Sequence, residues 1–307
     1  MALVGKPITS FKQLQEVAKK RGPKKVSVAV AQEKVVLQAI KKAEDLGLID
    51  AILVGNQDEI LKLGEEFGWK IPVSKIVNEL EYYLSIRRAA EMVRDKEASM
   101  IMKGKATSAD MYRTLLDKEM GMRTGRLLSQ VLVFKVPGFD RHMFMSDASM
   151  FIAPDLKQKA EICRNAIDVA HALGIKTPKV AALSALELVN PDMPSTVDAA
   201  NLTLMNRRNQ IKGAIIDGPI AMDAAVAAWA AEEKGFESPV AGCTDIFICP
   251  NIESANIGYR CIIYFAKAES GGIVVGAKAP IIVVSRAEPI ETKINSICLG
   301  ILIATKE

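Results

Sequence analysis

Aromatic side chains are scarce: Phe, Tyr and Trp together make up 5% of the 307 residues. The core must therefore be aliphatic, filled by Ala, Val, Ile, Leu and 13 Met. Histidine occurs only at positions 142 and 171, which leaves few natural ligands for zinc and no convincing base for a serine nucleophile. The five cysteines, at 163, 243, 249, 261 and 298, are odd in number and include no C-x-x-C pair. Their mostly apolar surroundings ("FICP", "RCIIYF", "SICLG") fit buried thiols kept reduced in a reducing compartment. Charge of one sign is missing too. With 40 basic residues against 36 acidic ones, net +4, the chain lacks the single-sign field of a nucleic-acid binder. No run reaches the ~18 uninterrupted apolar residues of a membrane span. The start, "MALVGKPITSFKQLQEVAKKRGPKK", lacks the apolar centre of a secretory signal. We expect a cytoplasmic protein with no metal, no nucleic-acid partner and no membrane contact.

What is present is alternation. "VSVAVA" reads as a buried strand, "EKVVLQAIKKAEDLG" as a helix stopping at Gly47, "DAILVG" as a strand, and "NQDEILKLGEEFG" as a helix entered through Asn56. The pattern repeats with the helix "LSIRRAAEMVRDKEA", the strand "SMIMKG" and the helix "SADMYRTLLDKEMG", for which Ser108 is the expected cap. "SQVLVFKVP" and "HMFMSDA" predict a hairpin near 131–146, and "APDLKQKAEICRNAIDVAHALG" a long helix. Strands at "KVAALSA", "IKGAIIDGPI" and "TDIFICP" alternate with helices at "STVDAANLTLMNRR" and "AMDAAVAAWAAEEKG". "IGYRCIIYFAKA" fits either type, "PIIVVSRAE" is a late strand, and "PIETKINSICLGILIATK" is a closing helix over 289–306. Strand and helix in turn, with short links, predict an α/β protein with mainly parallel sheets.

Ligands of open parallel sheets bind beyond the carboxyl ends of the strands, so polar residues directly behind a strand are the candidates. "KGKATS" offers Lys103, Gly104, Lys105, Thr107 and Ser108, followed by Arg113: cations, hydroxyls and a joint that lets backbone approach an anion. It is not a P-loop, since G-x-x-x-x-G-K-[ST] is absent, and a solvated turn is the plain alternative. "GMRTGR" supplies Arg123 and Arg126, whose forks suit phosphate or carboxylate, or simply surface ion pairs. "SRAE" delivers Ser285 and Arg286 together. "DGPIAMD" supplies Asp217, Gly218 and Pro219, then Asp223, as acid–base or plain turn residues. "PNIESANIGYR" adds Asn256, and "SDAS" adds Asp147.

Taken in order, "TGRLLSQVLVFKVPGFDRHMFMSDASMFIAPDLKQKAEICRNAIDVAHALGI", "IDGPIAMDAA", "SPVAGCTDIFICPNIESANIGY" and "VVSR" resemble the phosphate acetyl/butyryltransferase family, closest to its butyryl-transferring members. The likeness runs from about residue 10 to the end. It implies two α/β/α domains with an interdomain cleft, as in isocitrate and isopropylmalate dehydrogenases. The first domain would be discontinuous, 1–131 plus 280–307, with 132–279 as the second. It also implies an activity: acyl-CoA plus phosphate interconverted with acyl phosphate plus CoA, in a ternary complex. Coenzyme A would be a substrate and no other cofactor is needed. In this reading Arg286 takes the phosphate, Ser285 bonds the thiol or carbonyl oxygen, and the residues above bind substrate. The resemblance further implies a homo-oligomer, at least a dimer. One position departs: acetyl-transferring members carry an aspartate base seven residues after the serine, and here stands Thr292. Glu291, Asp217 and solvent are the substitutes, with Glu291 taken as the base. A metal- and nicotinamide-dependent dehydrogenase of the related fold, or a non-catalytic acyl-CoA binder, are the alternatives.

Overall fold

The computed structural model describes residues 6–304, which form two compact units. One joins Phe11–Arg126 with the chain from Gly271 onward; the other joins the N-terminal segment through Ser10 with Leu127–Ser270. Residues 1–5 of the N-terminal stretch and 305–306 of the predicted closing helix lie outside the described residues.

The first unit opens with α1 (Phe11–Lys20), β1 (Lys24–Ala29), α2 (Lys34–Asp45), β2 (Ile49–Gly55), α3 (Gln57–Glu65), β3 (Ile76–Asn78), α4 (Tyr82–Arg94), β4 (Met100–Lys103) and α5 (Ser108–Leu115). Apolar residues at helical spacing put Val36, Leu37, Ile40 and Ala43 of α2 inside, while β1 and β4, buried from Val26 and Met100 onward, read as continuous apolar runs. Asn56 caps α3 as predicted, its side chain accepting from the Glu59 amide at 3.1 Å. The cap of α5 is Thr107 rather than Ser108. The threonine hydroxyl accepts from the Asp110 amide and donates to the Asp110 carboxylate, while Ser108 is the first helical residue.

The second unit holds β5 (Ser129–Lys135), β6 (Met143–Ser146), α6 (Leu156–Ala172), β7 (Lys179–Leu183), α7 (Pro194–Arg207), β8 (Ile215–Ile220), α8 (Met222–Val226), α9 (Ala228–Glu233), β9 (Ile246–Ile248) and α10 (Ile252–Tyr264). The hairpin β5–β6 is antiparallel, and the strand order runs β5-β6-β9-β7-β8 with the remaining pairs parallel. "DGPI" lies inside β8 rather than behind it; as an edge strand β8 tolerates Pro219, which has no N–H to offer a neighbour. The single helix expected over 221–235 is two. The amides of Gly242 and Thr244 take the Ala224 and Ala225 carbonyls, and Ala227 turns extended between the halves. Three thiols, Cys163, Cys249 and Cys298, are buried, and burial pushes each up to about 12; Cys243 is half-buried and Cys261 exposed.

The chain then returns to the first unit through β10 (Glu269–Val275), β11 (Ile281–Ile282) and α11 (Ile290–Ala304). Strand order there is β3-β2-β1-β4-β11-β10, parallel throughout except for β10 against β11. The ambiguous stretch 257–268 is mostly helix α10, and β10 carries no counterpart in the sequence reading. Its "SGG" lacks the β-branched run that marks a strand. Gly271 is small for a reason: a Cβ there would meet the Asn295 backbone of α11 at 3.1 Å.

Candidate functional site

The register of three neighbouring strands builds one edge in the first unit. Ala29 at the end of β1 pairs with Lys103 at the end of β4, and Met102 pairs with Ile282 of β11. All three run parallel, so the loops after residues 29, 103 and 282 leave the sheet on the same side, the side where open sheets bind ligands. Val30–Glu33, Gly104–Thr107 and Val283–Glu288 are those loops. The first two are locked together: the amides of Gly104 and Lys105 donate to the carbonyls of Ala29 and Val30 at 2.9 and 2.8 Å. This explains Gly104 differently from the sequence reading. Its missing side chain makes room for the Val30 carbonyl, which a Cβ would approach to 2.2 Å.

Lys103 is 6% exposed, and its ammonium donates to the carbonyls of Gly104 and Ala106 at 3.3 and 3.1 Å. Burial pulls its pKa below the usual lysine value; Glu33 works in the opposite direction, while Arg286 and Lys293 add to the depression. Lys293, on the first turn of α11, is 1% exposed. It donates to the carbonyls of Ser285 and Glu288 at 3.2 and 2.7 Å, and burial lowers its pKa too, against the pull of Glu33 and Glu288. Arg286 is exposed and reaches the Lys105 carbonyl at 3.4 Å; Ser285 is half-buried. The loops after β4 and β11 therefore present Ser285, Arg286, Lys105 and Lys103 together, with Lys293 fastening the serine's backbone from behind. A buried lysine depressed by Arg286 and Lys293 gains from an anion placed among the three.

The other expected residues fall into three groups. Thr107 is committed to its cap, and Arg113 is exposed and pairs with Asp110 at 2.8 Å. Arg123 and Arg126 are exposed; Arg123 donates to the Leu116 carbonyl, and the Thr124 hydroxyl between them to the Gly276 carbonyl. Asp217, Gly218, Pro219 and Asn256 belong to the second unit, where Asp217 is half-buried within β8 and Asn256 donates to the Ala148 carbonyl at 3.2 Å.

Glu291, taken as the base, is exposed and paired with Lys42 at 3.0 Å. That bond holds its carboxyl below the ordinary glutamate value, the wrong direction for a base. Thr292 is buried. Glu33 and Lys293 are not among the residues expected from the sequence. The rule of searching directly behind each strand reaches Glu33 when applied to "VSVAVA", whereas Lys293 lies beside the expected base and carries no local signal.

The phosphate acetyl/butaryl transferase family model matches residues 82–301. The chain belongs to that family. A phosphate butyryltransferase of Clostridium acetobutylicum is 45% identical over 97% of this chain and 99% of its own length. A phosphate acetyltransferase of Thermotoga maritima is 40% identical over 96% and 99%. Among solved structures, a branched-chain phosphotransacylase from Enterococcus faecalis V583 matches with a TM-score of 0.81 at 29% identity, covering 92% of this chain and 99% of that one. The edge of β1, β4 and β11 sets Lys103, Lys105 and Arg286 near the Ser285 hydroxyl. Among the described residues no helix is long and apolar enough to cross a membrane.

Proposed function

We propose that this chain exchanges a short acyl group, butyryl first among them, between coenzyme A and phosphate. One observation of the fold carries the reading: parallel registry of β4 with β11 brings Lys103, Lys105, Ser285 and Arg286 to one strand edge. In the direction of thioester formation, the thiol loses its proton and its sulfur attacks the carbonyl carbon of the acyl phosphate. The carbonyl oxygen gains negative charge, and collapse of the adduct expels phosphate with the electron pair of the broken C–O bond. Arg286 and Lys105 hold the phosphate, Lys103 adds charge from below, and the Ser285 hydroxyl donates to the developing oxyanion. Donors fixed before the reaction stabilise that charge without reorganising. Arg113, Arg123 and Arg126 complete the anion-binding set, which would also receive the phosphates of CoA. The likeness to a butyryltransferase over nearly the whole chain supports a four-carbon acyl group, although a methylene more or less changes discrimination by only about 1–3 kcal/mol. Work as a homo-oligomer, at least a dimer, in the cytoplasm, with CoA as substrate and no further cofactor, belongs to the same proposal.

CoA release from butyryl-CoA, followed with a thiol reagent with and without phosphate and with EDTA present, tests it. Phosphate-dependent, EDTA-insensitive release is expected, and acetyl-, propionyl- and isobutyryl-CoA then rank the acyl groups. No release from any acyl-CoA would overturn the reading.

A further inference from the structure

The proton taken from the thiol needs an acceptor. Thr292 has no basic group, and Glu291 is tied to Lys42 on the surface. Glu33 stands in the loop behind β1, on the same side of the sheet as Lys103 and Ser285. Its Oε2 is buried and has no hydrogen-bond partner. It sits at the N-cap position of α2, yet its side chain caps nothing. A buried carboxylate oxygen without a donor is costly, and such orphans call for an explanation. The charges that act on it come from two other elements: Lys103 at the end of β4 and Lys293 on α11, both of which it stabilises. Neither lysine donates to it; both spend their protons on backbone carbonyls.

The backbone leading to Glu33 is constrained as well. Val30 has φ +53°, a conformation that a β-branched residue adopts only when its surroundings enforce it. They do: the Val30 amide donates to the Ser85 hydroxyl at 3.1 Å, and its carbonyl accepts from the Lys105 amide at 2.8 Å. The bend aims the chain from β1 so that Glu33 follows within three residues, alongside the anion loop.

We infer that Glu33 is the general base and acid of the transfer, the group that exchanges a proton with the sulfur of coenzyme A. This rests on the proposed acyl transfer. The S–H proton passes to the Glu33 carboxylate as the sulfur–carbon bond forms. When the carbon–oxygen bond to phosphate breaks, the electron pair leaves on phosphate and Glu33 returns the proton to it. In the reverse direction phosphate surrenders its proton to Glu33, and the departing thiolate collects it. Lys103 and Lys293 are positioning residues here: their charge acts on the Glu33 carboxylate without occupying its oxygens.

The test compares wild type with Glu33→Gln in the direction of acyl phosphate plus CoA, over a range of pH. Wild-type kcat is expected to climb on the acid side and level off once the carboxylate is ionised. Glu33→Gln is expected to lose kcat about a hundredfold or more with KM little changed. Its rate should then rise steadily with pH until the thiol itself ionises, near about 8.5 for an ordinary thiol. A merely structural glutamate would not produce that change of profile. A folded Glu33→Gln enzyme with the wild-type rate and acid limb overturns the inference. Should Glu33→Gln fail to fold, Glu33→Asp preserves the charge that faces Lys103 and Lys293 while withdrawing the oxygens by one methylene. A reduced kcat on an acid limb of the same shape supports the inference, and a wild-type kcat overturns it. An inactive wild type would instead sink the acyl-transfer reading, so the two failures are distinct.

Discussion

Asp147 and Glu33 each stand just behind a buried strand, one in each unit, and their carboxylates are held in opposite ways. Asp147, behind β6, is 3% exposed and fully engaged: Oδ1 accepts from the amides of Gln130 and Ser149, Oδ2 from those of Met150 and Phe151. Burial pushes its pKa up, and those four amides pull the other way. Glu33, behind β1, has a buried oxygen that no donor reaches. The sequence gives both the same description, an acid after an apolar run. Their partners separate them. An acid saturated by backbone amides has been spent on fixing a loop, whereas one left unsaturated is open to a substrate's proton.

The strongest way to break this contrast is at the strand edge that carries Glu33. Arg286 is exposed and makes one long bond within the protein, so Arg286→Ala should leave stability nearly unchanged. Losing a donor to developing charge costs about 10²–10³ in kcat, so activity should fall by that factor. An Arg286→Ala enzyme with full transferase activity would remove this residue from the mechanism. Asp147→Asn should show the reverse. Its new amide would face two N–H groups that now have an acceptor, and each orphaned donor costs about 1–3 kcal/mol. Unfolding in urea should therefore move to a markedly lower midpoint, by about 3 kcal/mol in all. An unchanged midpoint would show that the amides find other partners.

A third experiment stays in the second unit. His142 is buried, with Nδ1 donating to the Ile8 carbonyl at 3.0 Å, and burial lowers its pKa from 6.5 to about 4. The folded state therefore binds fewer protons than the unfolded chain between those values. Stability present above pH 6.5 is lost as pH falls toward 4, at a cost of about 2 kcal/mol between pH 7 and 5. His142→Gln keeps an N–H for Ile8 and should flatten that slope in pH-dependent unfolding. An equally steep slope in the variant would assign it to other groups.

Much of this is legible in the sequence. Helical and strand periods located most elements because "VSVAVA" or "KVVLQAIKKAED" buries one consistent pattern, and that pattern is what the fold uses. What escaped lacked such a pattern. Strand β10 begins "ESGG" and is specified by its packing on α11; β3 has three residues; and the break at Ala227 comes from a remote loop that takes two helix carbonyls. The site divides the same way. Ser285 and Arg286 declare themselves by standing behind a strand and Lys103 by ending one, but Lys293 acts through a bond made eight residues back in the chain. The cost of an unpartnered oxygen on Glu33 exists only in three dimensions.

The smallest expected effect decides between two glutamates. Glu291 and Lys42 form an exposed pair, 67% and 51% accessible in their side chains, and such pairs contribute about 0–1 kcal/mol. Glu291→Gln should therefore shift the urea midpoint barely, and less still at high salt, where exposed charges are screened. The same protein carries the argument about the base. The Lys42 bond lowers the pKa of Glu291, which makes the carboxylate a poorer proton acceptor for a thiol. Removing a true general base costs about 10²–10⁴ in rate. A loss of that size in Glu291→Gln, with the acid limb of the pH profile gone, would return the base to α11 and leave the buried Glu33 oxygen unexplained. Persistence of the limb in Glu291→Gln together with its absence from Glu33→Gln would make the orphaned oxygen the one that takes the proton.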